Sequence, residues 1–334
     1  MDVKKIVHQK NLRYAKKGLL WAFAAGMLYG VTPTLQTLSL ALDPLKTASL
    51  VSLLLVPLIM ACLQDTSSGI AVLMKNIQAG KSKEYIRILR SKPGKFVVLA
   101  SFFGGPLAMT TVMASVYLAG PIYPIAISAC FPAIGAVLSR IVLKEKISIN
   151  AWIGIVLCII GALTISWMPP TGGNYPNFYL GLLMAFITAV AWALENIIAT
   201  LGMDFVDPEL AIGIREFTSG GLTFLILPVL AGIGMKSYGV LFQTLPTMGY
   251  VYIALAGLFA GASYFYYYKA ANSCGASRSM ALNVTYTISA MIIGVVFLGS
   301  DITLLLVIGT LTLLIGAMLV AGKPAELLTL RDID

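Results

Sequence analysis

Charge is scarce in this sequence: 11% of its 334 residues are Asp, Glu, Lys or Arg, and a single residue, His8, is histidine. A soluble domain carries roughly twice that share of charge, so water is excluded as the main solvent and lipid takes its place. With no second histidine, neither a histidine-dependent protease site nor an HExxH metal site can lie inside the membrane. The sequence has no GxxxxGK[ST] phosphate loop, which excludes an ATP motor of that kind. An intramembrane aspartyl dyad would need a second acid beside Glu195, and the candidate, Glu216, follows Arg215 directly and is open to neutralisation by it. No enzymatic activity and no cofactor or metal are therefore expected. The four cysteines, Cys62, Cys130, Cys158 and Cys274, lack framework spacing and are expected to be free thiols in packing positions.

What the sequence does have is apolar length. Hydrophobic residues make up 58% of it, and the mean hydropathy is +0.89. A spanning helix needs roughly 20 apolar residues, which leaves room for about ten with short connections. The expected spans are roughly 18–38, 44–63, 95–118, 122–143, 149–167, 178–202, 208–231, 246–270, 276–298 and 302–321. The basic tail from Lys4 to Lys17 runs straight into the first full-length span, so that span is expected to stay in the protein rather than serve as a cleaved signal.

The net charge of +9 raises the possibility of nucleic acid as a partner. Nearly all the basic residues fall in the tails and the even-numbered loops, however; Lys46 and Lys236 lie on the other side and Arg215 lies inside span seven. This is the positive-inside pattern. It predicts an integral plasma (cytoplasmic) membrane protein with both termini cytoplasmic and the loops near 168–177 and 232–245 outside, with membrane lipid and not nucleic acid as the partner. The stretch Lys81–Arg90 reads as a short amphipathic helix on the cytoplasmic surface or a solvated linker.

The chain also repeats itself. Residues 120–165 align without gaps on 275–320, matching Gly120 with Gly275, Gly154 with Gly309 and Gly161 with Gly316. The openings of the halves match as well, with Tyr29 on Trp192. Five spans per copy is an odd number, so the second copy enters the membrane inverted. The expected fold is all-α and integral to the membrane: ten helices in two inverted five-helix repeats, 1–170 and 171–334, with the binding site between them. Gly104-Gly105-Pro106 in span three and Pro132 in span four are the expected kinks, and Gly26 with Gly30 the expected close contact.

Glu195 stands out because apolar sequence flanks it on both sides, and a carboxylate there costs on the order of 3 kcal/mol unless it is paired or protonated. It reads either as a functional site or as a structural partner for Arg215 or Lys269. Helical spacing places Trp192, Glu195 and Asn196 on one face. The same spacing gathers Tyr264, Tyr267 and Tyr268 in span eight, Asn283 and Tyr286 in span nine, and Tyr29, Thr32, Pro33 and Gln36 in span one. At about 1.5 Å per residue these four faces lie at compatible depths. If they converge, aromatic faces and one carboxylate suit a small organic cation, and exchange of that cation for a proton at Glu195 would couple transport to a proton gradient.

The segment Leu143-Lys144-Glu145-Lys146-Ile147-Ser148, followed by the span with Gly154 and Gly161, resembles the EamA domain of the drug/metabolite transporter superfamily over almost the whole chain. Ala191-Trp192-Ala193-Leu194-Glu195, Ile214-Arg215-Glu216-Phe217-Thr218-Ser219, Ser263–Tyr268 and Leu282–Tyr286 resemble the LicB-type choline permeases within it. That resemblance implies a proton-driven carrier in which Tyr29, Trp192, Glu195, Tyr264, Tyr267 and Tyr286 hold choline or a related quaternary ammonium compound. A neutral or zwitterionic metabolite carried outward is the alternative. The second half has Thr287 where the first has Pro132, and Gly299-Ser300-Asp301 in place of Lys144-Glu145-Lys146, which leaves the hinges open. A channel or a non-transporting receptor is the rival class, separable by whether flux saturates.

Overall fold

A computed structural model describes residues 3–48, 52–142, 148–167, 175 and 177–321, and all regular structure among them is helical. The helices are α1 (Val3–Tyr29), α2 (Thr32–Leu40), α3 (Leu45–Ala48), α4 (Leu55–Gln78), α5 (Glu84–Leu89) and α6 (Lys92–Phe102). A π-helical turn (Phe103–Leu107) joins α6 to α7 (Ala108–Ala119), which is followed by α8 (Tyr123–Ser128), α9 (Phe131–Val142) and α10 (Ile149–Ser166). The second half holds α11 (Phe178–Met203), α12 (Pro208–Leu230), α13 (Lys236–Thr244), α14 (Met248–Cys274), α15 (Ala276–Asn283), α16 (Tyr286–Leu298) and α17 (Leu304–Ala321).

Local chemistry sets several of these boundaries. Ser91, Ser148, Asp207 and Thr247 each precede a long helix and accept a backbone N–H from its first turn, supplying a partner that the helix itself lacks there. Pro208 occupies the start of α12, where its missing N–H costs nothing.

Nine stretches among the described residues are long and apolar enough to cross a membrane: Lys16–Leu40, Leu55–Gln78, Lys92–Ala119, Ile149–Ser166, Phe178–Met203, Pro208–Leu230, Met248–Cys274, Arg278–Leu298 and Leu304–Ala321. The chain is an integral membrane protein. The remaining expected span, 122–143, is a shorter apolar stretch, Tyr123–Leu138, broken at Ala129-Cys130 between α8 and α9. Span two lies further along the chain than its hydropathy suggests. It was expected at 44–63 and runs over Leu55–Gln78, with α3 as a separate turn before it. The polar run Gln64-Asp65-Thr66-Ser67-Ser68 reads as the end of a span, yet Gln64, Asp65 and Ser68 are buried against protein and never meet lipid. The 143–147 segment, the C-terminal tail and most of the 168–177 loop lie outside the described residues.

Residues that pair in the sequence repeat adopt matching backbone states. Gly120 ends α7 at φ +80° and Gly275 ends α14 at φ +90°, a conformation open to glycine and strained for other residues. The break between α8 and α9 at Ala129-Cys130 corresponds to the break between α15 and α16 at Val284-Thr285. It therefore recurs without a second proline, and Pro132 is a starter of α9 rather than its cause. Across the α10–α17 seam, a methyl on Gly154 would reach the Gly316 carbonyl at 2.5 Å and one on Gly161 the Gly309 carbonyl at 2.6 Å. These pairings run in opposite sequence directions, so the two helices are antiparallel and in backbone contact. The four cysteines are free and buried.

Candidate functional site

The site begins with interrupted helices. The span carrying α1 and α2 bends at Gly30-Val31, directly after Tyr29, and α16 begins at Tyr286 directly after its own break. Each break leaves an aromatic ring at a helix end, turned into the protein where α11 and α14 pass. Tyr29 packs edge-on against Trp192 at 5.6 Å between ring centres and against Tyr286 at 5.5 Å, and lies tilted against Tyr264 at 5.8 Å. Phe131, which the repeat pairs with Tyr286, stacks on it at 6.5 Å with planes 22° apart and meets Trp192 at 6.2 Å. Gly26 and Gly30 permit this approach, since a methyl on either would collide with Thr285 or Ser289.

These rings surround a narrow cavity of about 20 Å³, also lined by Glu195, Tyr267, Tyr268 and Asn283. Of the residues expected at the site, Tyr29, Trp192, Glu195, Tyr264, Tyr267, Asn283 and Tyr286 all border this space. Asn196 stands behind it, where its Nδ2 donates to the Tyr267 hydroxyl and fixes that ring. Among the polar atoms of the lining residues, Trp192 Nε1 and Asn283 Oδ1 are buried without a hydrogen-bond partner. Phe131 and Tyr268 join the lining although neither was among the expected ligands. Phe131 was signalled by its alignment with Tyr286, and Tyr268 by its spacing with Tyr264.

Behind the rings lies a charge cluster that sequence reasoning largely missed. Arg215 is fully buried, and its guanidinium faces three carboxylates. Nε donates to Glu195 Oε1 at 2.8 Å, Nη1 to Glu216 Oε1 at 2.9 Å, and Nη2 to the Gly104 carbonyl at 2.7 Å. Asp65 Oδ2 lies 3.5 Å from Nη1 and accepts from the Ser219 hydroxyl. The guanidinium also sits 4.6 Å from the centre of the Tyr264 ring, and Tyr268 donates to Glu195 Oε1 at 3.1 Å. Of the two structural partners considered for Glu195, Arg215 holds it, whereas Lys269 pairs with Glu209 at 2.8 Å.

The π-helical turn explains how Gly104 reaches this cluster. A π turn widens the backbone and is a recurrent feature of functional helices. Here it presents the Gly104 carbonyl to Arg215 and lays a Cα against Glu195: a methyl on Gly104 would lie 2.1 Å from the Glu195 Cδ. Asp65 was missed because span two was set too early in the chain, which put this carboxylate in a loop.

Two further features flank the site. Lys81 bridges Asp207 at 2.8 Å and Glu209 at 2.7 Å, Glu209 pairs with Lys269, and Asn76 donates to the Glu209 carbonyl at 2.8 Å. The linker before α5 is thereby tied to α12 and α14. At the opposite ends of the spans a wider cavity of about 240 Å³ opens, bordered by Tyr123, Tyr175 and Asp301.

The EamA-like transporter family matches the chain twice, over residues 16–167 and 179–322. Protein LicB of Haemophilus influenzae is 26% identical over 226 residues, which cover 67% of this chain and 72% of that protein. An uncharacterized transporter from the cobO 3′ region of Sinorhizobium sp. is 29% identical over 137 residues, 41% of this chain and 93% of the relative. A solved crystal structure at 16% identity shares the fold, with a TM-score of 0.62 over 91% of this chain and 96% of its own.

Proposed function

This chain belongs to the EamA-like transporter family, and from that premise we propose that it is a secondary carrier of a small organic cation, choline or a related quaternary ammonium compound. The observation that carries this reading is the ring of Tyr29, Phe131, Trp192, Tyr264 and Tyr286 around one cavity that Glu195 also borders. Ring faces attract a quaternary ammonium by about 0.5–2 kcal/mol each, more as water is excluded, and the carboxylate supplies the counter-charge. Tyr267 and Asn283 complete the wall, and Asn196 holds Tyr267 in place. The cavity of about 20 Å³ is smaller than such a cation. Binding therefore spreads the rings, as expected of a carrier passing between a contracted and a loaded state.

Ten spans in two inverted five-helix halves, 1–170 and 171–334, would give that carrier two related conformations open to opposite sides, with both termini cytoplasmic. Glu195 is where the substrate cation meets the charge cluster, since it borders the cavity on one side and joins Arg215 on the other. A zwitterionic substrate such as a betaine is the second reading, favoured by Arg215, which already counters the Glu195 charge. Thermal stabilisation of purified protein by choline and by glycine betaine decides between them. A choline shift that Tyr286→Leu abolishes and Tyr286→Phe largely keeps supports the cation cage. Equal losses in the two variants, or a shift with betaine alone, would overturn it.

A further inference from the structure

With every carboxylate ionised, the charge cluster does not balance. Around Arg215 stand Asp65 on α4, Glu195 on α11 and Glu216 on α12, and the groups facing them from α1 and α14 are Tyr29, Tyr264 and Tyr268, which bring no positive charge. The basic side chains next along these helices point elsewhere: Lys75 lies over the Phe265 ring, and Lys269 is bound to Glu209. Three ionised carboxylates against one guanidinium leave two negative charges inside a membrane protein, on side chains of which Arg215 and Glu216 are 0% and Asp65 1% exposed. Each uncompensated buried charge costs several kcal/mol, and like charges that share a site take up protons in preference.

The hydrogen bonds indicate which groups those are. Glu195 Oε1 accepts from both Arg215 and Tyr268, as an ionised carboxylate does. Asp65 Oδ1 and Glu216 Oε2 are buried without a hydrogen-bond partner, and the Ser68 hydroxyl that faces Glu216 is neutral, so a charge on either group would be half unsupported. We propose that Asp65 and Glu216 each hold a proton in this state and form the proton-exchange site of the carrier, separate from the substrate-facing Glu195. The inference rests on the carrier reading above and locates its coupling protons. Each proton leaves to water and leaves a carboxylate behind. The two carboxylates so formed compete for Arg215, whose Nη1 is already within 3.5 Å of both, and loosen its hold on Glu195. Glu195 is then available to the substrate cation.

Infrared difference spectroscopy of the purified full chain in light and heavy water tests this without any substrate. The wild type at neutral pH should show the deuterium-sensitive C=O stretch of a protonated carboxylic acid. Asp65→Asn and Glu216→Gln should each lose about half of that band and the double variant all of it, while Glu195→Gln keeps a band. No band in the wild type, a band that survives the double variant, or one lost in Glu195→Gln alone would overturn the proposal. Asn and Gln copy protonated acids, so the single variants should also unfold thermally at about the wild-type temperature, and a collapse of either counts against it. Choline failing to bind while the band behaves as expected would sink the substrate reading and leave the proton site standing.

Discussion

At the scale of single residues, Gly104 is the most exposed to a small change. A methyl there would lie 2.3 Å from both carboxylate oxygens of Glu195, while the carbonyl of the same residue is bound by Arg215. Glu195 has to move, because the π turn fixes the backbone. Gly104→Ala should therefore lower choline affinity at least about tenfold, roughly 1.4 kcal/mol. Gly221→Ala is the control: nothing lies within 4 Å of its added carbon, and alanine suits a helix interior better than glycine. Titration of both variants by thermal shift checks this, and equal affinities would show that Glu195 is not positioned by the turn. The same residues mark how far the sequence can be read. Glu195 was legible because a carboxylate flanked by apolar residues has no cheap bulk-water explanation, and the ring positions followed from helical spacing. Asp65 was not, since a Gln-Asp-Thr-Ser-Ser run inside a span has the hydropathy of a loop, and burial among other helices is a tertiary fact. That Arg215 reaches Glu195, Glu216 and Asp65 together depends on helix rotation, which spacing does not fix.

At the scale of elements, the joints carry the information. Gly275 separates α14 from α15 at φ +90° and ψ +160°, a region closed to residues with a Cβ, yet nothing lies within 4 Å of an added methyl. Gly275→Ala should thus be destabilised by backbone strain alone, about 1–3 kcal/mol. Gly120→Ala meets the same strain and in addition the Tyr175 hydroxyl at 2.8 Å, so it should be the less stable of the two. Thermal unfolding in detergent gives the order, and a wild-type melting temperature for Gly275→Ala would refute the strain. These two glycines were visible as a pair in the repeat because both joints impose one backbone state. The breaks inside spans four and nine were half visible: Pro132 pointed to the first, while Val284-Thr285 breaks with no proline, held by the packing of Tyr286 against Tyr29 and Phe131.

At the scale of the whole molecule, the two ends of the bundle differ: ion pairs join helices at one, and a cavity opens at the other. The ion pairs of Lys81, Asp207, Glu209 and Lys269 join the linker before α5 to α12 and α14 at one end of the bundle. The cavity of about 240 Å³ bordered by Asp301 lies at the other. If the basic loops are cytoplasmic, as the positive-inside rule predicts, the ion-paired face is the inner one and the cavity faces out. Cysteine labelling in intact cells reads this directly, because the native cysteines are buried and give little background. Asn177, Gln243 and Ser82 are all exposed, so access to reagent depends on the side of the membrane and not on packing. Asn177→Cys and Gln243→Cys should react with an impermeant thiol reagent, and Ser82→Cys should react only after the cells are opened. Labelling of Ser82→Cys in intact cells, with protection of the other two, would invert the topology and place the Lys81 ion pairs on the outer face.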